Sequence, residues 1–202
     1  MKTIVILIAL LFVNLNAQSQ NLEAFNSKRL KVNKSGMKIL GAWAITNMAI
    51  SPVLRNQVSG SDKYFYDMNL YWNAVNLLIA GVGYIGAVKD DPSGYSLKSS
   101  LKEQHAIEKI LLFNMALDVG YVVTGFYLDE RGTRKNNLRL QGYGDSLKLQ
   151  GAFLAVFDLF FYLAHHKNAT QLYNILDTVS PATNGIGLSV RFNFNFKNYE
   201  IP

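Results

Sequence analysis

The chain contains no cysteine. That excludes disulfides, thiolate metal sites, cysteine catalysis and a lipoprotein anchor. It has neither a G-x-S-x-G nucleophile elbow nor a Walker lysine motif, so no hydrolase triad or phosphate loop stands out. The cluster Gly81, Gly83 and Gly86 lies inside an apolar run, where small residues let helices approach closely. Prolines number four, and Pro52 and Pro92 stand where apolar runs stop. Histidines number three, so imidazole chemistry has few places to be. Basic residues outnumber acidic ones, for a net charge of +6 and a pI near 9.4. The excess is spread over loops and forms no basic helix face. This argues against nucleic-acid binding and for cations at membrane–water boundaries.

What the chain does have is four long apolar runs behind a leader-like start. Lys2 supplies a positive n-region, Ile4–Val13 is unbroken apolar, and Ala17 and Ser19 offer small-residue cleavage points. That apolar core is short for a span, so residues 1–20 read as an export signal. An uncleaved anchor is the alternative and leaves the later topology unchanged. Residues 21–35 are polar and basic and read as a surface segment. The apolar runs cover about residues 36–54, 67–88, 107–128 and 147–164, with polar loops at 55–63, 89–103 and 129–146. Residues 36–168 thus form a transmembrane domain, and residues 169–202 a C-terminal arm. Within the arm, Ala169–Val179 reads as a short amphipathic helix. Ile186 to Phe196 alternates strictly, as a strand does. One strand cannot close a barrel, so it reads as an edge strand or a cover over the bundle end. Lys38-Ile39-Leu40 before Asn47 is matched by Lys109-Ile110-Leu111 before Asp118 at the same offset, which leaves an internal duplication open.

Each run carries a stripe of polar or small residues. The clearest is Asn69, Asn73, Asn76, Ala80, Gly83 and Ala87, whose steps of four and three fall on one helical face. Ala44, Asn47 and Ser51 form a second stripe, Asn114, Asp118, Tyr121 and Gly125 a third, and Gly151, Ala155, Asp158, Tyr162 and His165 a fourth. The faces opposite stay apolar, with Leu78, Val82 and Ile85, or Leu112, Met115, Val119 and Val122. A soluble amphipathic helix would carry charge there. The inverse pattern belongs to a helix that turns polar groups toward its neighbours and aliphatic groups toward lipid. The third run can bear its carboxylate. Asp118 costs roughly 3 kcal/mol on insertion, and about ten Leu, Ile, Val and Phe residues return roughly 0.3–0.6 kcal/mol each.

The orientation is less sharply written. An exported N-terminus places the first and third loops inside the cell, and the third loop is rich in arginine and lysine. The N-terminal segment and the middle loop are basic too, so the positive-inside rule does not decide. Tyr64, Phe65, Tyr66, Tyr71 and Trp72 share one boundary with Phe126 and Tyr127, as an interfacial belt would.

Two constellations could carry chemistry. Asp118 and Asp158 are intramembrane carboxylates, with Asn47, Asn69, Asn73, Asn76 and Asn114 as the other members of a polar bundle core. They read either as interhelical glue or as a proton- or cation-handling pair. The second set is His105, Glu108, His165 and His166, at helix ends that share one membrane face in an antiparallel bundle. These are candidate ligands for zinc, iron or copper, and no cofactor is otherwise implied.

The blocks Met37–Ala44 (MKILGAWA), Met68–Asn76 (MNLYWNAVN), Glu108–Asp118 (EKILLFNMALD) and Leu140–Ser146 (LQGYGDS) resemble a small family of uncharacterised bacterial membrane proteins. The resemblance covers most of the chain beyond the leader. It implies a multi-helix membrane protein and no reaction.

The sequence therefore predicts an all-α antiparallel four-helix transmembrane bundle after a signal peptide, with a short helix and strand-like arm at the C-terminus. The expected role is non-enzymatic: a structural or accessory subunit of the bacterial inner membrane. Its partners are the lipid bilayer and a second protein or a second copy of the chain. A channel or carrier using the two aspartates, and an intramembrane metal site at the histidines, are the rivals.

Overall fold

Apolar runs without internal turn residues fold as α-helices, and here each helix outgrows the run that defines it. The computed structural model describes residues 2–179, with side chains placed over residues 20–176. Helix α1 spans Lys2–Arg55, α2 Ser61–Lys89, α3 Leu97–Arg134 and α4 Leu138–Val179. A single 3-10 turn, Pro92–Gly94, joins α2 to α3. The described residues are otherwise helix and short connection, without a strand. Gly60, at φ +71°, makes the turn into α2. Ser96 caps α3 by accepting the Ser99 amide at 3.2 Å.

The segments Gln20–Arg55, Ser61–Lys89, Leu97–Arg134 and Leu138–Leu176 are each long and apolar enough to cross a membrane. The shortest, with 29 residues, measures about 44 Å at 1.5 Å per residue. That exceeds a hydrocarbon thickness of about 30 Å.

Consecutive helices run antiparallel. Asn47 and Ser51 of α1 meet Asn69 of α2, while Met37 meets Gly83. Gly125 of α3 meets Gly144 of α4, while Asp118 meets Gly151. The four helices do not form a square. Helix α4 packs against all three others, and the backbones of α2 and α3 stay apart. That gap positions the site described below.

Three elements differ from the sequence reading. Residues 21–35 are not a separate segment but one half-covered stretch of helix, with Lys28 and Lys31 exposed. They continue α1, and Phe25, Asn26, Arg29 and Leu30 are buried against the far end of the bundle. The loop expected at 129–146 shrinks to Lys135–Asn137. Its glycines are packing residues: a Cβ on Gly142 would run into the Ser61 carbonyl, and one on Gly144 would lie 2.6 Å from the Gly125 carbonyl. Glycine there lets α4 touch α2 and α3. The short helix expected at Ala169–Val179 is the end of α4, because Ala169, Leu172 and Ile175 prolong its buried face without a break. The leader reading of residues 1–20 turns on side chains outside the described set, apart from Gln20. The alternating segment Ile186–Phe196 also lies outside the described residues.

The surface is apolar and the centre polar. Leu78 is 70% exposed, Val82 74%, Phe113 63% and Phe160 66%, whereas Asn73 and Gln150 are fully buried.

Candidate functional site: a polar seam and an acid pair

Helix periodicity places Asn69, Asn73 and Asn76 on the face of α2 that meets α1 and α4, and all three are buried. An amide buried among apolar side chains needs partners, and Asn69 finds three on other helices, besides Asn73 of its own helix, whose Nδ2 lies 3.4 Å from Asn69 Oδ1. The Asn69 amide nitrogen donates to Asn47 Oδ1 at 2.8 Å and to Ser51 Oγ at 3.1 Å, and its oxygen accepts from Gln150 Nε2. Trp43 Nε1 donates to Gln150 Oε1 at 3.0 Å. Asn73 Nδ2 donates to the Asn69 carbonyl at 2.8 Å, and Asn76 Nδ2 reaches Asn73 Oδ1 at 3.5 Å. One seam thus ties α1, α2 and α4 together. The ion pair Arg55–Asp67 stands at its outer end, between α1 and α2. Lys148 forms the corresponding bridge from α4 to α3, to Asp129 at 2.7 Å and also to Asp145 of α4 at 2.7 Å.

At the inner end of the seam, the gap between α2 and α3 becomes a cavity of about 240 Å³. Trp72, Asn76, Asn114, Tyr121 and both Asp118 and Asp158 line it, with aliphatic side chains and Phe157 completing the wall. Asp118 and Asp158 are 3% and 6% exposed, and their carboxyl groups lie within hydrogen-bonding reach of each other. No N–H or O–H donor reaches Asp118 Oδ2. Among the described residues, no lysine, arginine or histidine lines the cavity, so the pair has no cationic neighbour from them. Trp72 and Tyr121 stand edge to face at 4.7 Å, bridging α2 and α3 where their backbones do not meet. Asn47 and Asn114 are half-buried; the first belongs to the seam and the second to the cavity.

The four metal candidates do not converge. Glu108 Oε1 lies 3.3 Å from His166 Nδ1 and accepts from Gln104 Nε2 at 3.1 Å. His105 is exposed, and His165 is fully buried beneath Phe161, with ring centroids 4.9 Å apart. Among the described residues, no group of three or more His, Asp or Glu side chains could hold an ion.

A second polar cluster closes that end of the bundle. Asn26 Nδ2 donates to Ser100 Oγ at 2.9 Å, Gln104 Nε2 to the His165 carbonyl at 3.0 Å, and Asn168 Nδ2 to the Phe25 carbonyl at 3.3 Å. The Arg29 guanidinium lies 4.6 Å from the centre of the Tyr95 ring. Burial and then the hydrogen bond to Asp90 hold the Tyr95 hydroxyl above its ordinary value of 10.0.

Sequence reasoning passed over Gln150, Trp43 and Ser146. Stepping back by four from Asp158 reaches Leu154, Gln150 and Ser146, so the period held the signal. It also passed over Asn26, Arg29, Gln104 and Asn168, because a lysine-rich neighbourhood reads as solvent.

Comparison with known proteins adds a family. The model of a family of unknown function (DUF6992) matches residues 39–159, and the chain belongs to that family. The matched stretch holds every residue of the seam and both aspartates. No curated protein and no solved structure matches the chain.

Proposed function

We propose that this DUF6992 member is an integral membrane protein whose acid pair, Asp118 and Asp158, binds an exchangeable proton or small cation inside the bundle. One observation carries the reading: two carboxyl groups face each other in a cavity that, among the described residues, no lysine, arginine or histidine lines. Two bare carboxylates about 4 Å apart would repel by roughly 4 kcal/mol at an effective dielectric of 20. A shared proton, or a cation between them, removes that repulsion. Asn76 and Asn114 supply amide dipoles that suit either occupant, and the apolar wall excludes competing ligands. The pair borders the gap between α2 and α3, whose backbones do not meet.

The absence of cysteine makes the test clean. Asn73→Cys, Asp118→Cys and Asp158→Cys, made one at a time, should react with an aqueous thiol reagent if water reaches the pair. In vesicles loaded with a pH-sensitive dye, the wild-type chain should move protons under an imposed potential. Asp118→Asn and Asp158→Asn should each lower that flux at least tenfold. Equal flux from folded variants would remove the proposal.

A second reading has its own support. Asn69 and Gln150 each join α1, α2 and α4, as expected of a structural or accessory subunit held by buried amides. Under that reading the three cysteines stay unlabelled and no flux is seen.

A further inference from the structure

Helix α1 meets α4 along a narrow line, and beside it runs a groove of about 710 Å³, within the usual range for small-molecule sites of about 300–1,000 Å³. Its floor is an aromatic ladder on α4. Phe153, Phe157 and Phe161 follow one another with ring centroids 6.1 and 5.4 Å apart. Gly36 lets the Phe161 ring seat against the α1 backbone at this level, since a Cβ there would lie 2.6 Å from that ring. Ile39 and Phe160 form the rims and are 56% and 66% exposed. The groove is therefore apolar and faces outward.

One end differs. Lys28 and Lys31 line the groove there, three residues apart on one helical face and both exposed. Among the described residues, no carboxylate lines the groove and neither lysine forms an ion pair. They precede the apolar run of α1, at the level where a headgroup region would lie. From Lys31 to Ile39 the helix rises about 12 Å, so the groove descends from two cations into the hydrocarbon zone. An aliphatic chain ending in an anion matches that charge and shape.

We propose that this groove binds one anionic phospholipid, its phosphate between Lys28 and Lys31 and an acyl chain along Phe153, Phe157 and Phe161. The proposal rests on the chain being in a membrane, and the test separates the two claims. Trp43 stacks on Phe153 at 3.8 Å, and the chain has two tryptophans, so Trp72→Phe leaves one reporter at the foot of the ladder. The full chain in phosphatidylcholine vesicles is titrated with brominated phosphatidylglycerol or brominated phosphatidylcholine. The anionic lipid should quench Trp43 at about tenfold lower mole fraction. Lys28→Ala with Lys31→Ala should bring the two lipids to parity. Ala164→Phe, which plugs the groove and leaves both lysines, should also reduce the preference. Equal quenching in the parent overturns the lipid site and leaves membrane insertion intact. A preference that survives the double lysine variant overturns the headgroup assignment. Quenching by neither lipid overturns insertion and the site together.

Discussion

Asn69 is the residue on which three helices depend, and its partners set the scale of a mutational effect. Interhelical hydrogen bonds in lipid average about 0.6 kcal/mol, because the separated helices find other partners. Three such bonds sum to about 2 kcal/mol. Asn69→Leu should therefore destabilise the protein by about 2 kcal/mol, since it also leaves Gln150 Nε2 buried without an acceptor. Asn47→Ala removes one interhelical bond from a half-buried site, along with a bond to the Trp43 carbonyl of its own helix, and should cost about 0.6 kcal/mol for the interhelical bond. Unfolding midpoints in mixed micelles of increasing dodecyl sulfate fraction read both values. Equal effects would show that Asn69 is not the node. The asparagine stripe was legible in the sequence because helical spacing alone puts Asn69, Asn73 and Asn76 on one face. Which of them would be the node was not, because Gln150, Ser51 and Trp43 come from elements whose rotation no local pattern fixes.

Glycine carries two meanings among these elements, and sequence alone does not separate them. Gly142 and Gly144 sit among charges and tyrosine, so they read as a loop. In the fold they are contact points inside α4. Gly142→Leu must push α4 off the backbone of Ser61 and Phe65, and overpacking of that kind costs about 1–3 kcal/mol. Gly86 and Gly120 are helical too, but nothing lies within 4 Å of an added Cβ. Gly86→Ala and Gly120→Ala should be neutral or stabilising by up to about 1 kcal/mol. The same micelle titration distinguishes the two classes, and a Gly142 variant as stable as Gly86→Ala would contradict the close approach. The connection between α2 and α3 has a pH response of its own. The Ser93 amide, and then its hydroxyl, hold the Asp91 carboxyl below its ordinary value of 3.8. A depressed folded value stabilises the turn above that ordinary value and is lost as pH falls through the lowered one. Protection of the Ser93 amide against hydrogen exchange should stay flat in its pH-corrected form from neutrality to about pH 5 and fall in stronger acid. Asp91→Asn should remove that step.

For the whole molecule, the question is which solvent the outer surface meets. Leu78, Val82, Phe113 and Phe160 project from three different helices and are 63–74% exposed. Apolar groups alone do not mark a membrane protein, since much of any soluble surface is apolar. What distinguishes this chain is the pairing of that belt with a centre of amides and carboxyls, because water would favour the reverse arrangement. The same inversion was readable from the sequence, where stripe and opposite face could be compared residue by residue. The central place of α4 was not readable, because it follows from small residues on two of its sides, Gly142 toward α2 and Gly144 and Gly151 toward α3. A spin label at a single introduced cysteine tests the belt directly. At Leu78→Cys, Val82→Cys, Phe113→Cys and Phe160→Cys in vesicles, oxygen should relax the label strongly and a water-soluble nickel chelate weakly. At Asn56→Cys and Arg134→Cys, beside the loops, the order should reverse. If the nickel chelate reaches Val82 and Phe113 as readily as it reaches Asn56, then the apolar faces meet water. The buried aspartates would then need an account that does not involve lipid.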